Sequence, residues 1–101
     1  MQDIQATIND IQSQFNFANV DIYAQTEFYA SAYNLYCQID DYINSNGYIR
    51  LRLIDGKIIT IKKLGILFDD TYIRHSPSNT EPYKTIHLAD IKEVVYEQPE
   101  D

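Results

Sequence analysis

Residues 48–61 read Tyr48-Ile49-Arg50-Leu51-Arg52-Leu53-Ile54-Asp55-Gly56-Lys57-Ile58-Ile59-Thr60-Ile61. Ile49, Leu51 and Leu53 alternate with Tyr48, Arg50 and Arg52, the period of a strand with one buried face. Asp55-Gly56 follows, a strong signal for a hairpin turn. Loop length then sets the register. A two-residue loop would bring Arg52 beside Ile59. A three-residue loop over Ile54, Asp55 and Gly56, with Gly56 in a left-handed conformation, pairs position 51 with 59 and 49 with 61. Ile49, Leu51, Ile59 and Ile61 then share one face, so the buried pattern selects the longer loop.

Downstream of this hairpin the chain continues as strands. Residues 57–63 form its second arm, with a bend expected near Leu64-Gly65 and a continuation through 66–68. Asp69-Asp70 reads as a turn, and residues 71–75 and 83–88 as two further strands. Between those two lies Ser76-Pro77-Ser78-Asn79-Thr80-Glu81-Pro82, a surface connection rather than a linker. Ala89-Asp90-Ile91 reads as a short turn or 3₁₀ step and residues 92–96 as a closing strand. The polar tail 97–101 is expected to fray.

Upstream, the period changes from two to 3.6. Ile4, Ile8, Ile11 and Phe15 are spaced four, three and four, one face of a short helix. Asn16 to Asn19 break the pattern. Asp21 is a candidate N-cap for a second, longer helix running to about Asn44. Ile22, Tyr29, Tyr36 and Ile43 recur every seven residues there, beside a second stripe of Phe28, Leu35 and Tyr42. Glu27, Ser31, Asn34, Gln38, Asp41 and Ser45 form one narrow polar stripe. Ser45-Asn46-Gly47 ends the helix.

The expected fold class is α+β: one short and one long N-terminal helix, then a small antiparallel five-stranded SH3/Sm-like barrel. All 101 residues form a single domain in this reading, with a helical half (1–47), a β half (48–96) and a tail (97–101). Leu51-Arg52-Leu53-Ile54-Asp55-Gly56-Lys57 and Ile86-His87-Leu88-Ala89-Asp90-Ile91-Lys92-Glu93-Val94 carry a resemblance to SH3-like and Sm-like barrels over residues 48–96. The plan of helices followed by such a barrel is also similar to the YolD-like family. Sm-like proteins usually have a Gly in the second strand, where this chain has Ile61. Their RNA-binding loop has no match beyond Asp69-Asp70-Thr71-Tyr72, so the resemblance implies a fold and not an RNA site.

Charge is segregated along the chain. Residues 1–47 hold six acids and no Lys or Arg, residues 48–92 hold all eight basic residues against five acids, and residues 93–101 hold four acids. The net charge of −7 disfavours general binding to a phosphate backbone. It suits a basic protein partner instead. No apolar run approaches the ~18 residues of a membrane span, and Met1-Gln2-Asp3-Ile4 offers no basic start to a secretory signal. A cytoplasmic protein is therefore expected, with no membrane partner.

Catalytic chemistry finds no foothold in the sequence. The chain has one cysteine, Cys37, read as a small buried side chain, and two histidines, His75 and His87, read as facing solvent. Asp40-Asp41 and Asp69-Asp70 lack the spacing of a metal loop, and no phosphate loop, serine elbow or HExxH occurs. No catalytic residue, metal or cofactor is expected. Of the nine tyrosines, Tyr23, Tyr29, Tyr33, Tyr36 and Tyr42 crowd the long helix. Tyrosine suits interfaces because it offers large area, a polar tip and few rotors.

The reading that follows is a non-enzymatic protein-docking module, with Tyr29, Tyr33, Tyr36, Asp40 and Asp41 as the contact residues. A sharper form is a phage or mobile-element inhibitor seated on a host nucleic-acid enzyme, in the style of anti-CRISPR proteins, its carboxylates standing in for phosphates. A helix of about 24 residues spans ~36 Å, against ~20 Å for a short strand, so a homodimer through the long helix is a second expectation. The alternative is a Sm-like nucleic-acid-binding barrel using Arg50, Arg52, Lys62 and Lys63, with Tyr48 or Tyr72 to stack on bases.

Overall fold

The computed structural model describes residues 3–15, 22–68 and 72–96. Helix α1 spans Ile4–Phe15 and helix α2 Ile22–Asn46. Six strands follow: β1 Ile49–Leu53, β2 Ile58–Ile61, β3 Lys63–Phe68, β4 Tyr72–Ser76, β5 Lys84–His87 and β6 Ile91–Val94, with a 3₁₀ turn at Leu88–Asp90 before the last. The expected break at 16–19, the Asp21 cap, the Asp69-Asp70 turn and the 97–101 tail lie outside the described residues.

Both helix ends follow from local chemistry. Asp3 starts α1, its Oδ1 accepting from the Ala6 amide at 2.7 Å, which satisfies a first-turn donor that has no partner within the helix. Gly47, at φ +91°, stops α2, and its amide returns to the Ile43 carbonyl at 2.7 Å. The inward stripe of α2 is Phe28, Ala32, Leu35 and Ile39. The seven-residue repeat lies to its side: Tyr29 is exposed, while Tyr36 and Ile43 are half-buried.

The hairpin adopts the expected register, Ile49 opposite Ile61 and Leu51 opposite Ile59. Gly56 takes φ +92°, and its amide donates to the Leu53 carbonyl at 2.9 Å. The Asp55 carboxylate accepts from the Lys57 amide at 2.9 Å, holding the loop from its other side.

The closed five-stranded barrel is not what forms. The strands make two three-stranded antiparallel sheets, ordered β2-β1-β6 and β3-β4-β5. The second arm does not run through as one bent strand. After buried Ile61, Lys62 and Lys63 are both exposed and Leu64 turns back inward, so the two-residue alternation loses phase at the lysine pair. The chain changes sheet there, and the Lys62 amide donates to the Ser76 carbonyl at 2.9 Å. The bend expected at Leu64-Gly65 survives as an irregularity between Leu64 and Leu67 within β3.

Side chains from the helices cover two sheet edges that further strand pairing would otherwise occupy. Gln5 bridges the outer edge of β6, donating to the Lys92 carbonyl at 3.1 Å and accepting from the Val94 amide at 3.0 Å. Gln12 donates to the Ile91 carbonyl beside them. On the second sheet, the Tyr36 hydroxyl donates to the Gly65 carbonyl of β3 at 2.9 Å. A covered edge offers no template for another strand. One apolar core runs through the whole assembly, with Ile8, Ile11, Leu35, Ile39, Leu51, Ile61, Ile73, Leu88 and Ile91 fully buried.

Candidate functional site

The five residues expected to make a docking surface all lie on α2, but they do not stay together. Tyr29, Tyr33, Tyr36 and Asp40 follow spacings of four, three and four, one stripe of a helix turning ~100° per residue. The stripe is graded across its width. Tyr33 is the most open, at 61% exposure, and Tyr29 is 39% exposed. Asp40 is half-buried. Tyr36 is committed to β3 through its hydroxyl. Gln25 Nε2 donates to the Tyr29 hydroxyl at 3.2 Å, which steadies that ring. Cys37, one turn beyond Tyr33, accepts a hydrogen bond from the Tyr33 phenol, and this bond together with the thiol's charge when ionised pushes that phenol's pKa up.

Asp41 lies a further ~100° round the helix, on the wall of a groove of about 630 Å³. Asn34 and half-buried Cys37 share that wall, Asp3 lies across from it at the start of α1, and Tyr42 and Tyr96 close one end. The Tyr42 and Tyr96 rings stand 6.3 Å apart at 59°. Partial burial raises the Tyr96 phenol above its ordinary pKa, and the Asp3 charge and Tyr42 add to the effect. Among the described residues, none that lines the groove is Lys or Arg. Asp3 and Tyr96 carried no site signal in the sequence. They come from opposite ends of the chain and meet only in three dimensions.

The cations of the alternative reading are dispersed. Arg50 and Arg52 alternate outward on β1, Lys62 sits at the corner between the sheets, and Lys63 opens β3. Arg52 is matched by Glu93, its cross-strand partner, at 2.8 Å. Arg50 lines a smaller pocket of about 300 Å³ with Tyr42, Tyr48 and Tyr96. Arg74, on the second sheet, lies over the Tyr83 ring at 5.2 Å.

Both histidines differ from expectation. His87 is half-buried rather than facing freely into solvent. It stands among the rings of Phe15, Phe28 and Tyr72, at centroid distances of 5.5, 6.0 and 4.6 Å. Its Nδ1 accepts from the Ala89 amide at 3.0 Å and so caps the 3₁₀ turn. The strand alternation was right for its face, but the two helices cover that face. His75 is buried at 6% exposure, which lowers its pKa, with nearby Lys84 adding to the effect. Its parity with Ile73 on the same strand was the available signal.

The chain matches no known family model, no curated protein and no solved structure. The site therefore has to be read from its own geometry. Among the described residues no three His, Cys, Asp or Glu side chains gather into a set that could hold a metal ion, and no helix is long and apolar enough to cross a membrane. The site presents an exposed phenol, a half-buried and an exposed carboxylate, and a groove with an acidic, aromatic lining. These are means of binding a cationic surface.

Proposed function

We propose that this chain is a non-enzymatic protein-docking module whose contact surface is the outward side of α2, with Tyr33 at its centre and Tyr29, Asp40 and Asp41 around it. The observation that carries this reading is the exposure of Tyr33. A large ring held open on a helix without a single cation suits the desolvated, electrostatically complementary contact of a basic partner. Tyr36 drops out of the contact set, since its hydroxyl is already used within the fold. The partner class is a protein with a basic cleft, a nucleic-acid enzyme of a host being the sharpest form. A second copy through α2 and kinship with the YolD-like family belong to the same proposal, the latter resting on element order alone.

The test is capture of partners from lysate of the source organism or its host, with and without nuclease, by the wild-type chain and by Tyr33→Ala. A near-stoichiometric protein that survives nuclease, and whose affinity falls about 30-fold or more in Tyr33→Ala, supports the reading; that loss corresponds to the ~2 kcal/mol of a hot-spot tyrosine. Unchanged affinity in Tyr33→Ala overturns it. So does recovery of nucleic acid alone, which would make Arg50 and Lys62 the next residues to substitute.

A further inference from the structure

The groove beside α2 adjoins the Tyr33 stripe and shares Asp41 with the docking surface, but its chemistry is more selective than general acidity. It sets two carboxylates, Asp3 and Asp41, against two phenol rings, Tyr42 and Tyr96. The rings are 6.3 Å apart and inclined at 59°, so they do not close into a stack. Neither α1 nor α2 contains a Lys or Arg; Arg50 of β1 lines the adjoining smaller pocket, on which Tyr42, Asn46 and Tyr96 also border. At about 630 Å³ the groove falls within the ~300–1,000 Å³ range of ligand clefts.

A cation with a flat, weakly hydrated head fits such a lining best. A guanidinium can lie over a tyrosine face while its N–H fork engages a carboxylate. An ammonium can do only part of this, as a compact and strongly hydrated point charge. We propose that the groove receives an arginine side chain projected from a basic protein partner, held between the Asp41 and Asp3 carboxylates and the Tyr42–Tyr96 rings. The choice of a protein partner rests on the docking reading above; the groove's selectivity for guanidinium stands on its own chemistry.

The experiment is a ¹H–¹⁵N NMR titration of the full chain with a capped tri-arginine peptide. Capped tri-lysine and tri-citrulline peptides serve as comparisons, the latter keeping the side-chain shape without the charge. Saturable shifts at the amides of Asn34, Cys37, Asp41 and Tyr96 are expected with tri-arginine, several-fold weaker affinity with tri-lysine, and none with tri-citrulline. Asp41→Asn should weaken tri-arginine binding at least tenfold, and so should Tyr96→Leu, a second variant at a site that is half exposed. Glu81→Gln, an exposed acid on a distant loop, should leave it unchanged.

Shifts spread over all acidic surfaces, equal affinity for tri-lysine, or binding indifferent to both groove variants would overturn the proposal. Its failure is distinguishable from that of the docking reading. A partner lost in Tyr33→Ala but captured normally by Asp41→Asn and Tyr96→Leu leaves docking in place and removes the groove's role. Arginine peptide in the groove, with partner capture indifferent to Tyr33→Ala, does the reverse.

Discussion

Gly56 has nothing within 4 Å of where a Cβ would stand, yet its φ is +92°. Any penalty for a side chain there comes from the backbone alone, and a β-branched residue resists this region most. Gly56→Val should therefore cost about 1–2 kcal/mol, read as a lower midpoint in urea or a lower melting temperature. An unchanged melt would mean that the loop can adopt another conformation. His75 makes a prediction of a different kind. Leu64 and Lys84 flank it across the neighbouring strands, and its Nδ1 has no hydrogen-bond partner. Its folded-state pKa lies below the ordinary value of 6.5. Above pH 6.5 the imidazole is neutral in both states and its contribution is fully present. As the pH falls below 6.5, the unfolded chain takes up a proton that the folded chain refuses, and stability declines until the folded-state pKa is reached. Urea midpoints at pH 7.5 and 5.5 should differ more for the wild type than for His75→Leu.

At the scale of elements, α1 acts as a substitute for a strand. Gln5 offers both a donor and an acceptor to β6, as a neighbouring strand would. Replacing it with alanine removes two hydrogen bonds to that edge, one exposed and one part-buried, at about 0.5–1.5 kcal/mol each. Gln5→Ala should lower stability by roughly 1–3 kcal/mol and speed hydrogen exchange at the Val94 amide ahead of its neighbours. Exchange at Val94 that does not change would show that the edge is protected by something other than Gln5. The glutamines looked like ordinary polar positions in a helical pattern, so this role could not be read from the sequence. The Lys62-Lys63 pair was readable as a break in alternation. Ile66 to Phe68 then resume an apolar run, which favours continuation when periodicity is the only guide.

For the molecule as a whole, charge is divided between its parts. The helical half carries six acids and no Lys or Arg, and all eight basic residues fall within 48–92. A basic partner approaching α2 is steered by that asymmetry, and screening shortens its reach. Reversing both Asp40 and Asp41 to Lys should slow association with the captured partner and flatten its dependence on salt, with a smaller change in the dissociation rate. Stopped-flow or surface-binding kinetics at 50 and 300 mM salt would check this. Association rates that match the wild type at both salt concentrations would mean that the acidic half only keeps the chain in solution. The candidate site was legible in part. Asp41 falls on the polar stripe by helical spacing and Tyr33 stands out only among the crowded tyrosines, but the division of the stripe between solvent, groove and β3 could not be read, because helical phase alone does not say which neighbour stands on each side.

Local sequence sets the hairpin register, the course of both helices, the stop at Gly47 and a tight step before the last strand. Each depends on residues a few positions apart, through periodicity, capping and the φ values open to glycine. Long-range packing sets the rest: the strands part into two sheets, helix side chains take edges which strands might have paired, His87 lies among aromatic rings, and Asp3 and Tyr96 share a groove. Those outcomes turn on which distant groups satisfy a given backbone edge or cover a given face. Several partners compete for each, and local patterning does not rank them.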